Sequence, residues 1–322
     1  MQESFKTFLL TVCEAEEFKK LEVIQSLWSG YGEIARYELE NSPMSTIVVK
    51  HISVKGSNEH PRGWNTSNSH NRKIKSYQVE TNWYQNWPND SESLYRTARF
   101  IGAHSIENER WIVLEDLNEQ FPLRKQHVNL KEIKSCLQWL ANFHASNLNQ
   151  EPKGLWKIGT YWHLDTRPDE LAQMDESELK NNASWIDRQL NQAKFLTIVH
   201  GDAKLANFCF SEDGSKVAAV DFQYVGGGCG MKDVAYFLGS CLNSDQLEAL
   251  ESELLDFYFS ELHTTLQILN QAHDFTAIEQ EWRHLYPFAC ADFTRFLLGW
   301  MPNHQKINDY NFKKVQEVLG SI

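Results

Sequence analysis

One stretch constrains the chain more than any other: His200-Gly201-Asp202-Ala203-Lys204-Leu205-Ala206-Asn207, followed after a short insert by Asp221-Phe222-Gln223. Phe195–Val199 reads as a strand leading into the first segment. Asn207–Phe210 and Val217–Val220 read as strands flanking the turn Ser211–Ser215, where Asp213-Gly214 is a strong hairpin signal. Such a hairpin folds the chain back on itself, so Asn207 and Asp221, 14 positions apart, end side by side. H-x-D-x-x-x-x-N alone occurs by chance on solvated loops. A strand before it, a hairpin after it and D-F-x at this distance form a much more specific combination.

That combination is a phosphotransfer signature. An acceptor hydroxyl has to be oriented and relieved of its proton by a carboxylate, the role that Asp202 suits. Phosphoryl transfer brings highly charged groups together, and Mg²⁺, which takes a few hard oxygen ligands, neutralises them. Asn207 offers a carbonyl oxygen and Asp221 a carboxylate. Lys204, inside the same loop, is either a cation for the transferring phosphoryl group or a surface lysine. His200 reads as a brace for the loop. Asp233 suits the N-cap of a helix Asp233–Leu242, with or without a tie to the loop. Gly226–Gly230 reads as a flexible connection or, less favoured, a flap on the substrate side.

The first third supplies matching parts. Ala35, Tyr37 and Leu39 alternate with charged residues, a strand period, and Thr46–Lys50 forms a second strand. Ile74, Tyr77, Tyr84 and Trp87 share a helix face that also carries Glu80. A carboxylate on a buried stripe needs a partner. Lys50, at the end of an apolar strand, answers that need and would point its ammonium toward ATP phosphates. Both also have a plain reading, as a strand-end lysine and an exposed acid. Gly30 and Gly32, in the turn Ser26–Gly32, would let backbone cover the phosphates or simply form a hairpin. Two further strands, Arg99–Ala103 and Trp111–Leu114, lead to a connector in which backbone groups of Glu115 to Leu117 would meet an adenine edge. Gly56–Lys73, polar and glycine-bearing, reads as a long mobile loop.

Beyond Leu117 helical periods dominate, as in Ile133, Leu137, Leu140, His144 and Leu148, or Leu247, Leu250, Leu254, Phe257 and Glu261. The expectation is therefore an α+β, bilobal protein-kinase-like fold. A small β-rich nucleotide-binding lobe covers 1–117, and a larger, mainly helical catalytic and substrate lobe covers 118–322. The net charge of −12 argues against a nucleic-acid partner. No run of about 18 apolar residues is present, so no membrane insertion is expected. Six scattered cysteines without a C-x-x-C pair suit reduced, mostly buried thiols in a cytoplasmic protein.

V-H-G-D-A-K-L-A-N-F, V-D-F-Q and D-V-A-Y-F-L resemble the aminoglycoside phosphotransferase/choline kinase superfamily, and L-E-D-L with D-F-Q-Y leans toward its ecdysteroid-kinase-like branch. The resemblance runs from about Ser26 to Leu242 and is densest at 199–238. It implies Mg-ATP, Asp202 as base, and Asn207 and Asp221 on the metal. Lys204 departs from the aminoglycoside kinases, and the glycine loop is sparse.

Only 11 residues separate Asp221 from Asp233, with no A-P-E, too few for a peptide-binding activation segment. The expected activity is therefore transfer of the ATP γ-phosphate to a small hydroxylated molecule of choline/ethanolamine, aminoglycoside or sterol type. A catalytically weak, pseudokinase-like nucleotide-binding or scaffolding protein is the alternative. Trp282, Tyr286, Asp292 and Trp300 are candidates for gripping the acceptor, against a plain reading as helix core.

Overall fold

The computed structural model describes residues 3–27, 30–53, 67–87 and 94–322. The chain divides into two compact units, Met1–Ser93 with Thr97–Gln120, and Leu94–Arg96 with Phe121–Ile322. The first is β-rich and the second mainly helical.

In the first unit, helix α1 (Glu3–Val12) is followed by strands β1 (Glu17–Ser26), β2 (Gly32–Glu40) and β3 (Thr46–Ser53), then α2 (Ser67–Asn86). The two-residue strand β4 (Arg96–Thr97) falls at the boundary; β5 (Phe100–Ile106) and β6 (Glu109–Glu115) complete the unit. The sheet order is β1-β2-β3-β6-β5, antiparallel throughout. Strand alternation sends Ala35, Tyr37, Ile47, Val49, Trp111 and Val113 to one face, where they pack with Phe5 and Leu9 of α1. Burying each large side chain there is worth roughly 1.5–3 kcal/mol. The alternation turns Lys50 away from that cluster, towards α2.

Two expectations change here. β1 carries no clear alternation, and its residues are mostly exposed, which left it unread in the sequence. Ser67–Lys73, read as part of a loop, is the first part of α2. That helix is anchored by its later turns, through Tyr77, Val79, Trp83 and Tyr84, and its polar start extends from them. The rest of the expected loop, 56–66, lies outside the described residues, as do Trp28 and Ser29 of the glycine turn.

The second unit contains α3 (Leu130–Ser146), α4 (Pro168–Gln173), α5 (Glu178–Asn181) and α6 (Ala183–Asn191). Strands β7 (Thr197–Val199), β8 (Phe208–Phe210), β9 (Val217–Ala219) and β10 (Gly226–Gly228) follow. Helices α7 (Met231–Cys241), α8 (Ser244–Ile268), α9 (Phe275–Trp300) and α10 (Asp309–Leu319) close the chain. Asn129 with Glu132 and Asn243 with Gln246 form capping boxes that start α3 and α8. Helix α9 packs against α4, α6, α7 and α10 and forms the axis of the unit. All six cysteines are free. No helix among the described residues is long and apolar enough to cross a membrane.

The glycine run is neither a flap nor a flexible connection. β10 pairs antiparallel with β7, Gly226 opposite Val199 and Gly228 opposite Thr197. A Cβ on Gly226 would lie 2.2 Å from the Trp156 carbonyl oxygen, and one on Gly227 2.7 Å from that of Lys157. Glycine is used because two backbones touch there.

Candidate active site

In the first unit, Lys50 donates to both carboxylate oxygens of Glu80, at 2.9 and 2.7 Å. Both side chains are buried, 4% and 2% exposed. The pair answers the question that Glu80 poses on a buried helix face, since each charge offsets the other's desolvation penalty. Gly32 has φ +135°, and a Cβ there would lie 2.0 Å from the His51 carbonyl oxygen, so its own sheet requires glycine. Gly30, φ +72°, has open space where a Cβ would be. The Glu115 amide donates to the Arg99 carbonyl at 2.9 Å, and its side chain accepts from the Arg99 amide, also 2.9 Å. That amide is therefore committed to the sheet. Leu117 is buried in a short 3-10 turn capped by Asp116, which also pairs with Arg36 at 2.6 Å.

In the second unit the catalytic-loop candidates converge. The Asn207 Nδ2 donates to the Asp202 carbonyl (2.8 Å) and to Asp202 Oδ2 (3.1 Å). With the amide nitrogen so engaged, the Asn207 side-chain oxygen keeps its lone pairs for a cation. The hairpin brings the second oxygen ligand alongside: the Val220 amide donates to the Asn207 carbonyl at 3.0 Å, and Asp221 is the next residue. Asp221 holds φ +69°, a left-handed conformation that side chains rarely adopt and Asp tolerates better than most. Gln223 Nε2 donates to Asp221 Oδ1. Lys204 donates to Asp202 Oδ2 at 2.9 Å. Burial opposes its charge, but the carboxylates of Asp202 and Asp221 outweigh that and raise its pKa.

Asp202 Oδ1 is buried and makes no hydrogen bond of ordinary geometry among the described residues, with the Tyr236 hydroxyl close enough to feel the carboxylate. A buried carboxylate oxygen without a well-placed donor is costly, and it is the atom a general base presents to an incoming hydroxyl. Asn207 and Asp221 supply two hard oxygens, the kind and number that Mg²⁺ accepts beside nucleotide phosphates. Among the described residues no three His, Cys, Asp or Glu gather as a self-sufficient metal cage.

The loop is held from below. Asp233 accepts the His200 amide at Oδ2 (2.6 Å) and the Gly201 amide at Oδ1 (2.9 Å). His144 Nε2 reaches Oδ2 at 3.2 Å, and its Nδ1 meets the Tyr258 hydroxyl at 2.8 Å. Asp233 is not the N-cap: α7 starts two residues earlier with Gly230 at the cap, so the carboxylate lies inside the first turn, free to bind the loop. The His200 ring turns Nε2 towards the Val220 carbonyl (3.0 Å), and its Nδ1 accepts from the Asp202 amide (3.2 Å).

Three of the four acceptor-grip candidates are interior, and Trp300 packs against the cluster of Trp162, Tyr236, Phe293 and Phe296. Trp282 and Tyr286 are core residues, one donating to the Phe195 carbonyl (3.0 Å), the other meeting the Tyr310 hydroxyl (3.0 Å). Asp292 is buried and paired with Arg295 at 2.8 Å. Their side of α9 is interior because that helix is packed around most of its circumference. Trp300 is half-buried, stacked on Phe296. The residues facing Asp202 are ones that sequence reasoning passed over. Tyr161, whose amide donates to the Gly201 carbonyl (3.1 Å), packs edge-on against Tyr236 and Tyr224. Burial and then the Asp202 carboxylate raise the pKa of both Tyr161 and Tyr236. Tyr236 was visible in D-V-A-Y-F-L, but nothing in its spacing marked it as facing the loop.

Residues 160–271 match the sequence model of the Ecdysteroid kinase-like family. No curated protein matches the chain. Among solved structures, choline kinase LicA from Streptococcus pneumoniae is similar over 99% of both chains, at 13% identity and a TM-score of 0.50. A choline kinase from Cryptosporidium parvum Iowa II aligns over 94% of this chain and 88% of its own, at 11% identity and 0.51. An ethanolamine kinase from Plasmodium vivax aligns over 95% and 84%, at 10% identity and 0.50. At these identities the likeness is one of fold. The match to the Ecdysteroid kinase-like family model thus lies in the segment that carries the catalytic loop, and the chain has the fold of these choline and ethanolamine kinases.

Proposed function

We propose that the protein is an ATP-dependent phosphotransferase whose acceptor is the hydroxyl of a small molecule. The observation that carries this reading is the buried Oδ1 of Asp202 beside the oxygen pair of Asn207 and Asp221. The acceptor oxygen attacks the γ-phosphorus of ATP as Asp202 Oδ1 takes its proton. The bond from that phosphorus to the bridging oxygen breaks, and ADP leaves. Asn207 and Asp221 would hold Mg²⁺, which when bound neutralises phosphate charge. Lys204 keeps Asp202 Oδ2 occupied, so only Oδ1 faces the acceptor, and its ammonium lies beside the transferring group. In the other unit, Lys50, fixed by Glu80, binds nucleotide phosphates.

Kinase activity is supported by family and fold, and the small acceptor by the short segment after Asp221. The test is ADP release with Mg-ATP and a library of hydroxylated amines, sugars and sterols. Acceptor-dependent ADP should appear, and Asp202→Ala should lower turnover by at least about 10²-fold while Mg-ATP still binds. Undiminished turnover in that variant would remove Asp202 from the role.

A second reading, nucleotide binding without transfer, draws on the Lys204 ion pair, which occupies one carboxylate oxygen of Asp202. It predicts Mg-ATP binding with no ADP from any acceptor, and Lys204→Ala would then leave the protein equally inert.

A further inference from the structure

A cation that the phosphate chemistry does not use lies on the aromatic side of the catalytic loop. Lys306 belongs to the segment between α9 and α10. Its amide donates to His304 Nδ1 (3.1 Å) and its carbonyl accepts from Asn311 Nδ2 (2.7 Å), which fixes its backbone to the start of α10. The ammonium lies 4.7 Å from the centre of the Tyr236 ring and 5.9 Å from that of Phe293. Tyr236 packs edge-on against Tyr161 at 5.6 Å, and Tyr161 is tied to Gly201 in the loop. One aromatic wall therefore runs from Lys306 to Asp202. Among the described residues Lys306 makes no ion pair with a carboxylate. Burial pushes its pKa down to about 8, with Asp202 as the main charge acting the other way.

The consequence is a matter of sign. A lysine ammonium has three donors and strong Coulombic reach in a partly dry site. Aromatic faces satisfy its charge in part and its donors poorly. A second cation brought against the same wall meets repulsion. An oxygen brought there meets an open donor.

Resting on the phosphotransferase reading above, we propose that Lys306 determines specificity: the acceptor is a hydroxylated compound without a cationic group, its apolar body against Tyr161, Tyr236 and Phe293, with a further oxygen that accepts a hydrogen bond from Lys306. The residue works by rejecting amino alcohols as well as by holding oxygen.

Three matched probes test this: benzyl alcohols carrying a para carboxylate, a para carboxamide or a para aminomethyl group. Binding is read by quenching of tryptophan fluorescence, without turnover, for wild type, Lys306→Glu and Lys306→Met. Wild type should bind the carboxylate and the carboxamide at least about tenfold more tightly than the amine. Lys306→Glu should reverse the order, and Lys306→Met should remove the preference. Equal binding of amine and carboxamide by wild type overturns the proposal. So does an order unchanged in Lys306→Glu, or no saturable binding of any probe. Failure of the phosphotransferase reading shows separately, as no acceptor-dependent ADP with these probes or the wider library, whatever the order of binding.

Discussion

Asp233 fixes the height of His200: its carboxylate accepts the His200 amide at 2.6 Å from inside the first turn of α7. The neighbouring Gly201 amide and the buried His144 converge on the same group. The helix N-terminus also favours negative charge there. Asp233→Ala should cost about 3 kcal/mol or more, because two buried amides lose their acceptor. It should also reduce kcat by at least about 10²-fold, because Asp202 follows the displaced loop. Urea unfolding and steady-state kinetics read the two effects. A stable variant with normal kcat would show that the loop holds its shape unaided.

The Lys50–Glu80 pair makes a different prediction. Lys50→Met or Glu80→Leu alone leaves one buried charge uncompensated and should cost about 3–5 kcal/mol. The double variant should be more stable than either single one, yet bind Mg-ATP at least about tenfold more weakly. Additive losses in the double-mutant cycle would mean that the two charges do not depend on each other.

Two glycines separate packing from propensity. A Cβ at Gly226 meets the Trp156 carbonyl oxygen at 2.2 Å, so Gly226→Ala should destabilise by about 2 kcal/mol or more. Gly239, inside α7, has nothing within 4 Å of the point a Cβ would occupy, so Gly239→Ala should stabilise by about 0.5–1 kcal/mol. Thermal melts of the two variants should move in opposite directions.

Lys306 gives a pH signature. Its pKa is about 8 in the folded protein, below the ordinary 10.5. Between those values the unfolded chain binds more protons, so this group makes stability rise with pH across that window. Below it the full penalty for burying the charge is present. The stability of wild type minus that of Lys306→Met should therefore increase from about pH 8 to pH 10.5. A difference that stays flat over this range would return Lys306 to the ordinary behaviour of an exposed lysine.

The parts of the fold and site that were legible in the sequence share one property: their spacing alone forces a geometry. The hairpin between Asn207 and Asp221 needed only a turn signal between two apolar runs. Glu80 was conspicuous because a carboxylate on an apolar helix face must be answered. Residues whose role depends on distant packing left no such trace. Gly226–Gly228 is indistinguishable from a flexible linker until the Trp156 backbone is seen against it. Trp282 and Tyr286 look like ligand-gripping aromatics until the other helices are packed around α9. Lys306 sits in a short polar segment with no periodicity, and only the tertiary fold brings it to Tyr236. Which residues would meet the acceptor was for that reason the least readable part of the chain.

The strand of bare glycines facing Val199 has a consequence for how such a chain can diversify. On the β10 side the support beneath the loop is main chain, so substitution there cannot reshape it, and side-chain support comes instead from Asp233. The proposed acceptor wall differs in this respect: Tyr161, Tyr236, Phe293 and Lys306 come from separate segments and can change one at a time.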